Sequence, residues 1–214
     1  MQMTNTVWIW IIAIAAIAAE LIFYLVQKKK QDRLSEKAMD LVMHGNLDEL
    51  DQLVDSPEMQ KSFPLYNRLY LKLNASIMRG NLKRTDELFE EIGRTNMTDQ
   101  QKAAYAMMGF QYYLPLERKE ECGQYKVMLD TMKGNEAMKK YADQAFGIVY
   151  DGQTDSLEAL LKKNQTANPA QKAINEFLIA KTYENLGDRD NALKYHQLSN
   201  QHLQESAKQR LKNS

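Results

Sequence analysis

The sequence predicts an all-α protein in which one apolar, membrane-spanning helix precedes an array of about five helical hairpins. Three observations lead there: an unbroken apolar run near the N-terminus, a glycine-marked segment that recurs at intervals of about 35 residues, and a helix-forming composition. Only four prolines and nine glycines are spread over 214 residues, whereas Ala, Leu, Lys, Glu, Gln and Met abound, so strands have little to build from.

The apolar run VWIWIIAIAAIAAELIFYLV occupies residues 7–26. As a helix it reaches about 30 Å, the hydrocarbon thickness of a bilayer. Trp8 and Trp10 mark one end and Phe23 and Tyr24 the other, where amphipathic rings favour the headgroup level. No Lys or Arg precedes the run, but Lys28, Lys29, Lys30 and Arg33 follow it, so the positive-inside bias places the C-terminal side in the cytoplasm. The expected organisation is a short extracytoplasmic tail (1–6), a transmembrane helix (7–26), a basic juxtamembrane segment (27–33), the hairpin array (31–209) and a C-terminal tail (210–214). A cleaved signal peptide, with Ala16-Ile17-Ala18 as its processing site, is disfavoured by the missing basic n-region and by the basic cluster that follows. Glu20 is the one charge in the span and lies about 9 Å from the cytoplasmic boundary, where its carboxylate reaches headgroups by snorkelling. Ala15 and Ala19 give a small-residue face through which two anchors would pack as a homodimer. The expected location is a plasma membrane, bacterial in preference to an organelle's outer membrane.

The recurring segment reads LVMHGNLDELDQLV around Gly45, SIMRGNLKRTDELF around Gly80, IVYDGQTDSLEALL around Gly152 and TYENLGDRDNALKYH around Gly187. The glycines are separated by 35, 72 and 35 residues, and halving the long interval predicts a further turn near Leu116, where Pro115 interrupts a helical pattern. Each copy has the same grammar: a helix ends at a glycine able to take the left-handed conformation, and a polar residue starts the next helix. The predicted pairs are 31–44 with 47–55, 63–79 with 81–93, 98–113 with 116–132, 135–150 with 153–164, and 169–186 with 189–209. Pro57, Pro64 and Pro169 fall between helices or at their starts, and Ser56, Thr98 and Asn168 serve as caps. A two-helix unit cannot bury its apolar face alone, so neighbouring units must stack. The expected core comprises Leu41, Leu50, Leu73, Leu88, Tyr112, Leu129, Ala145, Leu157, Leu161, Ala180, Tyr183 and Ala192, and the polar end of the last helix serves as a cap facing water.

On these residues the chain resembles the tetratricopeptide repeat family, whose unit is a helix–turn–helix of about 34 residues. The last unit carries the resemblance in Ala180, Tyr183, Leu186, Gly187, Asp188, Ala192, Leu193 and Tyr195, and Tyr105, Gly109, Tyr112 and Tyr125 echo it in the third. Earlier units keep mainly the turn, most lack the family's terminal proline, and Leu50, Thr85 and Leu157 replace the small residue of the second helix. The resemblance covers residues 31–209 and implies a right-handed α-solenoid of TPR-like hairpins.

Composition argues against several chemistries. Lys+Arg and Asp+Glu both number 28, so no net charge recruits nucleic acid. The single cysteine, Cys122, reads as a small buried hydrophobe. His196 and His202 are six apart, off the i, i+4 spacing of a helical metal site, and together with His44 are expected on the solvated surface. Neighbouring carboxylates at Glu90-Glu91 and Glu120-Glu121 diverge by about 100° on a helix. With no glycine-rich phosphate loop, the sequence offers no catalytic residue, metal site or cofactor site. The triplets at Asn74, Asn96 and Asn164 match a glycosylation pattern that has no meaning in the cytoplasm.

The resemblance further implies a concave groove lined by the first helix of each unit, which holds peptides or exposed segments of other proteins. Its inner wall is expected at Tyr70, Asn74 and Ile77, at Phe110 and Tyr113, at Phe146 and Tyr150, and at Phe177 and Lys181. The expected function is a membrane-anchored, cytoplasm-facing scaffold or adaptor whose partners are proteins, with the lipid bilayer holding its anchor. The alternatives are an assembly factor or chaperone-like holder of membrane or exported proteins and, behind these, an exported binding domain or a cryptic enzyme.

Overall fold

A computed structural model describes residues 28–212, with side chains as far as Glu205. Every regular element among them is a helix. The predicted span with Trp8, Trp10, Glu20 and Tyr24 lies outside the described residues; among those described, no helix is long and apolar enough to cross a membrane. The chain divides into two compact units at Thr95/Asn96.

The first unit holds α1 (28–43), α2 (Leu47–Asp55), α3 (Pro57–Ser62), α4 (Leu65–Met78) and α5 (Leu82–Gly93). Lys28, Lys29 and Lys30 form the first described turn of α1, so the predicted basic segment is continuous with the first hairpin. The core gathers Leu34, Ala38 and Leu41 from α1 with Leu50, Val54, Met59 and Ala75. The short helix α3 was not legible in the sequence. Ser56 caps it by accepting a hydrogen bond from the Met59 amide at 3.2 Å, and Pro57 begins its first turn. It closes the core with Met59, while Glu58 holds Arg33 at 2.9 Å and Lys30 at 3.5 Å. Thr85, which stands where the resemblance leads one to expect a small residue, is fully buried and shares a 2.8 Å hydrogen bond with Ser76 across the α4–α5 contact. Pairing the hydroxyls removes the cost of burying either one.

The second unit holds α6 (Asp99–Tyr113), α7 (Lys119–Thr131), α8 (Glu136–Asp151), α9 (Leu157–Gln165), α10 (Pro169–Asn185) and α11 (Arg189–Lys212). Thr98 and Gln101 form a reciprocal capping box at α6, and Asn168 caps α10 ahead of Pro169. Helix α6 packs on α7, α7 on α8, α9 on α10 and α10 on α11, and α8 also packs on α10.

The corners repeat with little variation. Gly45, Gly80, Gly152 and Gly187 all take φ between 66° and 76°. The turn expected near Leu116 centres on Glu117, whose φ of 54° makes it the one non-glycine with positive φ among the described residues. Asn46, Asn81, Arg118 and Asp188 each follow their corner and donate a backbone hydrogen bond to the carbonyl five residues earlier, at 2.9–3.3 Å. At these four corners the helix C-terminus is satisfied by the six-to-one closure of a Schellman turn, whereas after Gly152 the Gln153 amide donates to the Gly147 carbonyl, six residues earlier, at 3.0 Å.

Four expected core residues, Tyr112, Leu157, Leu161 and Tyr183, are only half-buried. Tyr113 takes the inward place of Tyr112 and stacks on Tyr125 at 5.7 Å. Helix α9 starts at Leu157 rather than at residue 153, and its buried residue is Leu160. Tyr183 stacks on Tyr195 at 5.6 Å at the edge of the last hairpin. Helix α7 is likewise shorter than expected, because Pro115 to Arg118 belong to the corner.

Close approach of α6 and α7 depends on Gly109. A Cβ built there would lie 2.5 Å from the Tyr125 ring, which Tyr113 stacks against and Tyr105 meets edge-on at 5.4 Å. Gly109→Ala therefore lowers stability by roughly 1–2 kcal/mol despite the gain in helix propensity, measured by chemical denaturation of the full-length chain followed by circular dichroism. Equal or greater stability would refute this packing.

Candidate functional site

Alternate helices of the second unit, α6, α8 and α10, share an open cleft of about 330 Å³. Met107 and Gln111 come from α6, Ala137, Met138 and Tyr141 from α8, and Gln171, Ile174 and Asn175 from α10, with Lys163 added from the last turn of α9. Each main helix contributes residues three or four apart, which is one helix face. The wall combines apolar groups with three carboxamides, a phenol and an ammonium, and holds no carboxylate. Burial pushes the Tyr141 phenol up to about 12, against a hydrogen bond from Gln111, so it remains protonated at neutral pH.

A buried polar layer that local sequence pattern does not predict joins α9, α10 and α11 beside the cleft. Glu176 is 2% exposed; its Oε1 accepts from Asn164 Nδ2 at 3.0 Å and its Oε2 meets His202 Nδ1 at 2.7 Å. His202 is thus half of a buried pair rather than a solvated residue, and His196 is held by Glu184 Oε1 at 2.8 Å. The two contacts run antiparallel along the α10–α11 hairpin. Lys163 and Asn175 line the cleft, while their chain neighbours Asn164 and Glu176 bond to each other behind it. The legible signal is a carboxylate in the small-residue stripe Ala173, Glu176, Ala180, where its charge demands a partner.

Asn175 is 4% exposed, and its Nδ2 has no hydrogen-bond partner. An unpaired buried donor costs about 1–3 kcal/mol. Lys163 forms no ion pair among the described residues.

The residues expected on the groove wall do not line this cleft. Phe110 is fully buried and Tyr113 is 3% exposed, so both are core; Phe110 lies edge-on behind Tyr141 at 6.1 Å. Phe146 and Tyr150 pack together at 4.7 Å under the Lys119 ammonium, which reaches Asp151 at 3.2 Å. Phe177 meets the His196 ring at 6.4 Å. Lys181 lies between Glu117 and Glu184; burial alone would lower its ammonium, but the hydrogen bonds to both carboxylates hold it above the usual range. None of these lines the cleft. Tyr70, Asn74 and Ile77 are half-buried in the first unit, where Asn74 Nδ2 donates to the Tyr70 carbonyl at 2.8 Å. Phe110 and Tyr113 fill the hairpin interior, and the α6 face of the cleft is left to Met107 and Gln111.

A second, charged cleft in the first unit, of about 180 Å³, is lined by Lys72, Arg79 and Arg84 among others. All three cations are already paired: Lys72 with Asp55 at 2.7 Å, Arg79 with Asp48 and Asp51, and Arg84 with Glu87 and Glu91. It offers an incoming anion no free charge. Cys122 is fully buried, donates toward the Phe110 carbonyl at 3.7 Å, and has its thiol pushed by burial up to about 11, so it carries little thiolate.

Glu176→Ala leaves Asn164 and His202 unpaired and lowers stability by on the order of 3 kcal/mol, whereas Glu176→Gln, which keeps an acceptor for Asn164, costs less; chemical denaturation of the full-length variants ranks them. Equal costs would show that the polar layer is not a connected network. Comparison of the chain with protein-family models, with curated proteins and with solved structures gives no match.

Proposed function

We propose that the chain is a membrane-tethered, cytoplasm-facing scaffold or adaptor for other proteins. In this reading it is a right-handed α-solenoid of about five TPR-like hairpins, carried on a single transmembrane helix over residues 7–26, with its N-terminus outside a bacterial plasma membrane. The cleft on α6, α8 and α10 is the observation that carries the proposal. Three helix faces converge on one open, mostly apolar surface with a few polar groups, the usual composition of a recognition site. Recurrence of the left-handed corner supports the repeat architecture, and the basic run at Lys28, Lys29 and Lys30 supports the topology. Tethering raises the local concentration, so weak contacts at the cleft suffice.

Met107 and Met138 on the cleft wall favour a second reading, a chaperone-like holder or assembly factor. Unbranched thioether side chains repack around differing apolar groups, which suits a succession of clients.

Site-specific photocrosslinking in cells tests both. A crosslinker at position 138 captures protein, and the same group at Val127, exposed on α7, captures markedly less. One stable adduct supports the scaffold, and many short-lived adducts support the holder. Capture no greater from 138 than from 127 would contradict the cleft as the binding surface.

A further inference from the structure

We infer that the cleft is built for an extended peptide segment carrying an acidic side chain beside an apolar one. This rests on the cleft being the binding surface and specifies what fills it. The polar groups of the wall divide unequally between donors and acceptors. Lys163 contributes an ammonium with no carboxylate partner among the described residues, Asn175 a buried amide donor with none, and Tyr141 a protonated phenol. With no Asp or Glu in the lining, an acidic group of a ligand meets an attracting ammonium and no repelling carboxylate.

The helices that carry the lining residues separate the ligand's charged group from its apolar one. The cationic edge is formed by Lys163 and by α10, with Asn164 and Glu176 fixing the α9–α10 contact behind it. The apolar edge is formed by Met107, Ala137 and Met138 from α6 and α8. The acidic side chain pairs with Lys163, the apolar side chain packs on Met107 and Met138, and a main-chain carbonyl accepts from Asn175 Nδ2. That bond gives Asn175 the partner it lacks in the empty cleft.

Other occupants fit less well. A metal ion finds no carboxylate, thiolate or imidazole in the lining. Nucleic acid needs several phosphate-facing cations, and Lys163 is the one in this cleft. A fatty acid matches the ammonium and the methionines, but it leaves the carboxamides of Gln111, Gln171 and Asn175 unmatched, and an open cleft of about 330 Å³ leaves much of an acyl tail in water. A peptide main chain supplies partners for all three.

The test uses the full-length chain in detergent micelles and fluorescent hexapeptides blocked at both ends, so that only side chains carry charge. One set places Asp or Glu next to Leu or Met, and matched sets carry Lys or Gln in place of the acid. Anisotropy is expected to rank the acidic set at least about tenfold tighter than the Lys set, equivalent to about 1.4 kcal/mol. Lys163→Glu, an exposed position that leaves the fold intact, abolishes or inverts that ranking, and Asn175→Ala weakens every peptide by a similar factor. An unchanged ranking in Lys163→Glu would overturn the inference, as would oleate that binds tighter than the peptides and displaces them. Peptides of all three sets binding equally, yet lost in Met138→Glu, overturn the acidic preference alone. No peptide binding together with no crosslink from position 138 removes the cleft itself.

Discussion

Each hairpin closes through one backbone requirement, a left-handed residue at the end of its first helix. A helix leaves its last carbonyls without partners, and a residue with positive φ turns the chain so that the following amide closes back on one of them. Here that residue falls at positions 45, 80, 117, 152 and 187, at intervals of 35, 37, 35 and 35. Four of the five are glycine, which takes the conformation without steric cost. Glu117 accepts a cost of about 1–2 kcal/mol for an L-residue in that region. Its carboxylate is used elsewhere, on Lys181 of α10, so the same residue that strains the corner ties it to the last hairpin.

Fixed corner spacing places alternate helices in register. In the second unit α6, α8 and α10 end at corners of equal spacing, and their equivalent faces converge on the cleft. Behind that surface, two kinds of packing hold the hairpins. In the α6–α7 pair an absent side chain at Gly109 admits the Tyr125 ring, a geometric lock. In the α10–α11 pair the lock is chemical, with Glu176 and Glu184 meeting His202 and His196. The second kind is stiffer in orientation, because a buried carboxylate with two partners has few alternative arrangements. Its Glu176–Asn164 bond joins the chain neighbours of Asn175 and Lys163, where a recognition surface gains most from a rigid backing.

Much of this was legible in the residues. The glycine corners, the polar residues that follow them, the caps at Ser56, Thr98 and Asn168 and the helix pairs all follow from local rules, and local rules act on the chain itself. Even the degenerate third corner was located within a residue by interpolation. What was not legible depended on contacts between elements. Helix α3 forms where a linker was expected because Met59 completes a core that only the folded unit assembles. Phe110 and Tyr113 are expected on the wall because the resemblance lines a groove with the first helix of each unit; in the fold their area is buried inside the hairpin, and Met107 and Gln111 take the surface. His202 was assigned to solvent because its partner, Glu176, is 26 residues away.

Comparing two glycine substitutions isolates the corner from packing. At Gly187, φ is 76° and an added Cβ meets nothing within 4 Å, so Gly187→Ala changes only backbone strain. Gly123 lies within helix α7, and its added Cβ makes ordinary contact with Phe146 at 3.8 Å. Chemical denaturation of the full-length chain should show Gly187→Ala destabilised by about 1–2 kcal/mol and Gly123→Ala unchanged or stabilised by up to about 1 kcal/mol. If Gly187→Ala is as stable as Gly123→Ala, the left-handed corner does not organise this fold.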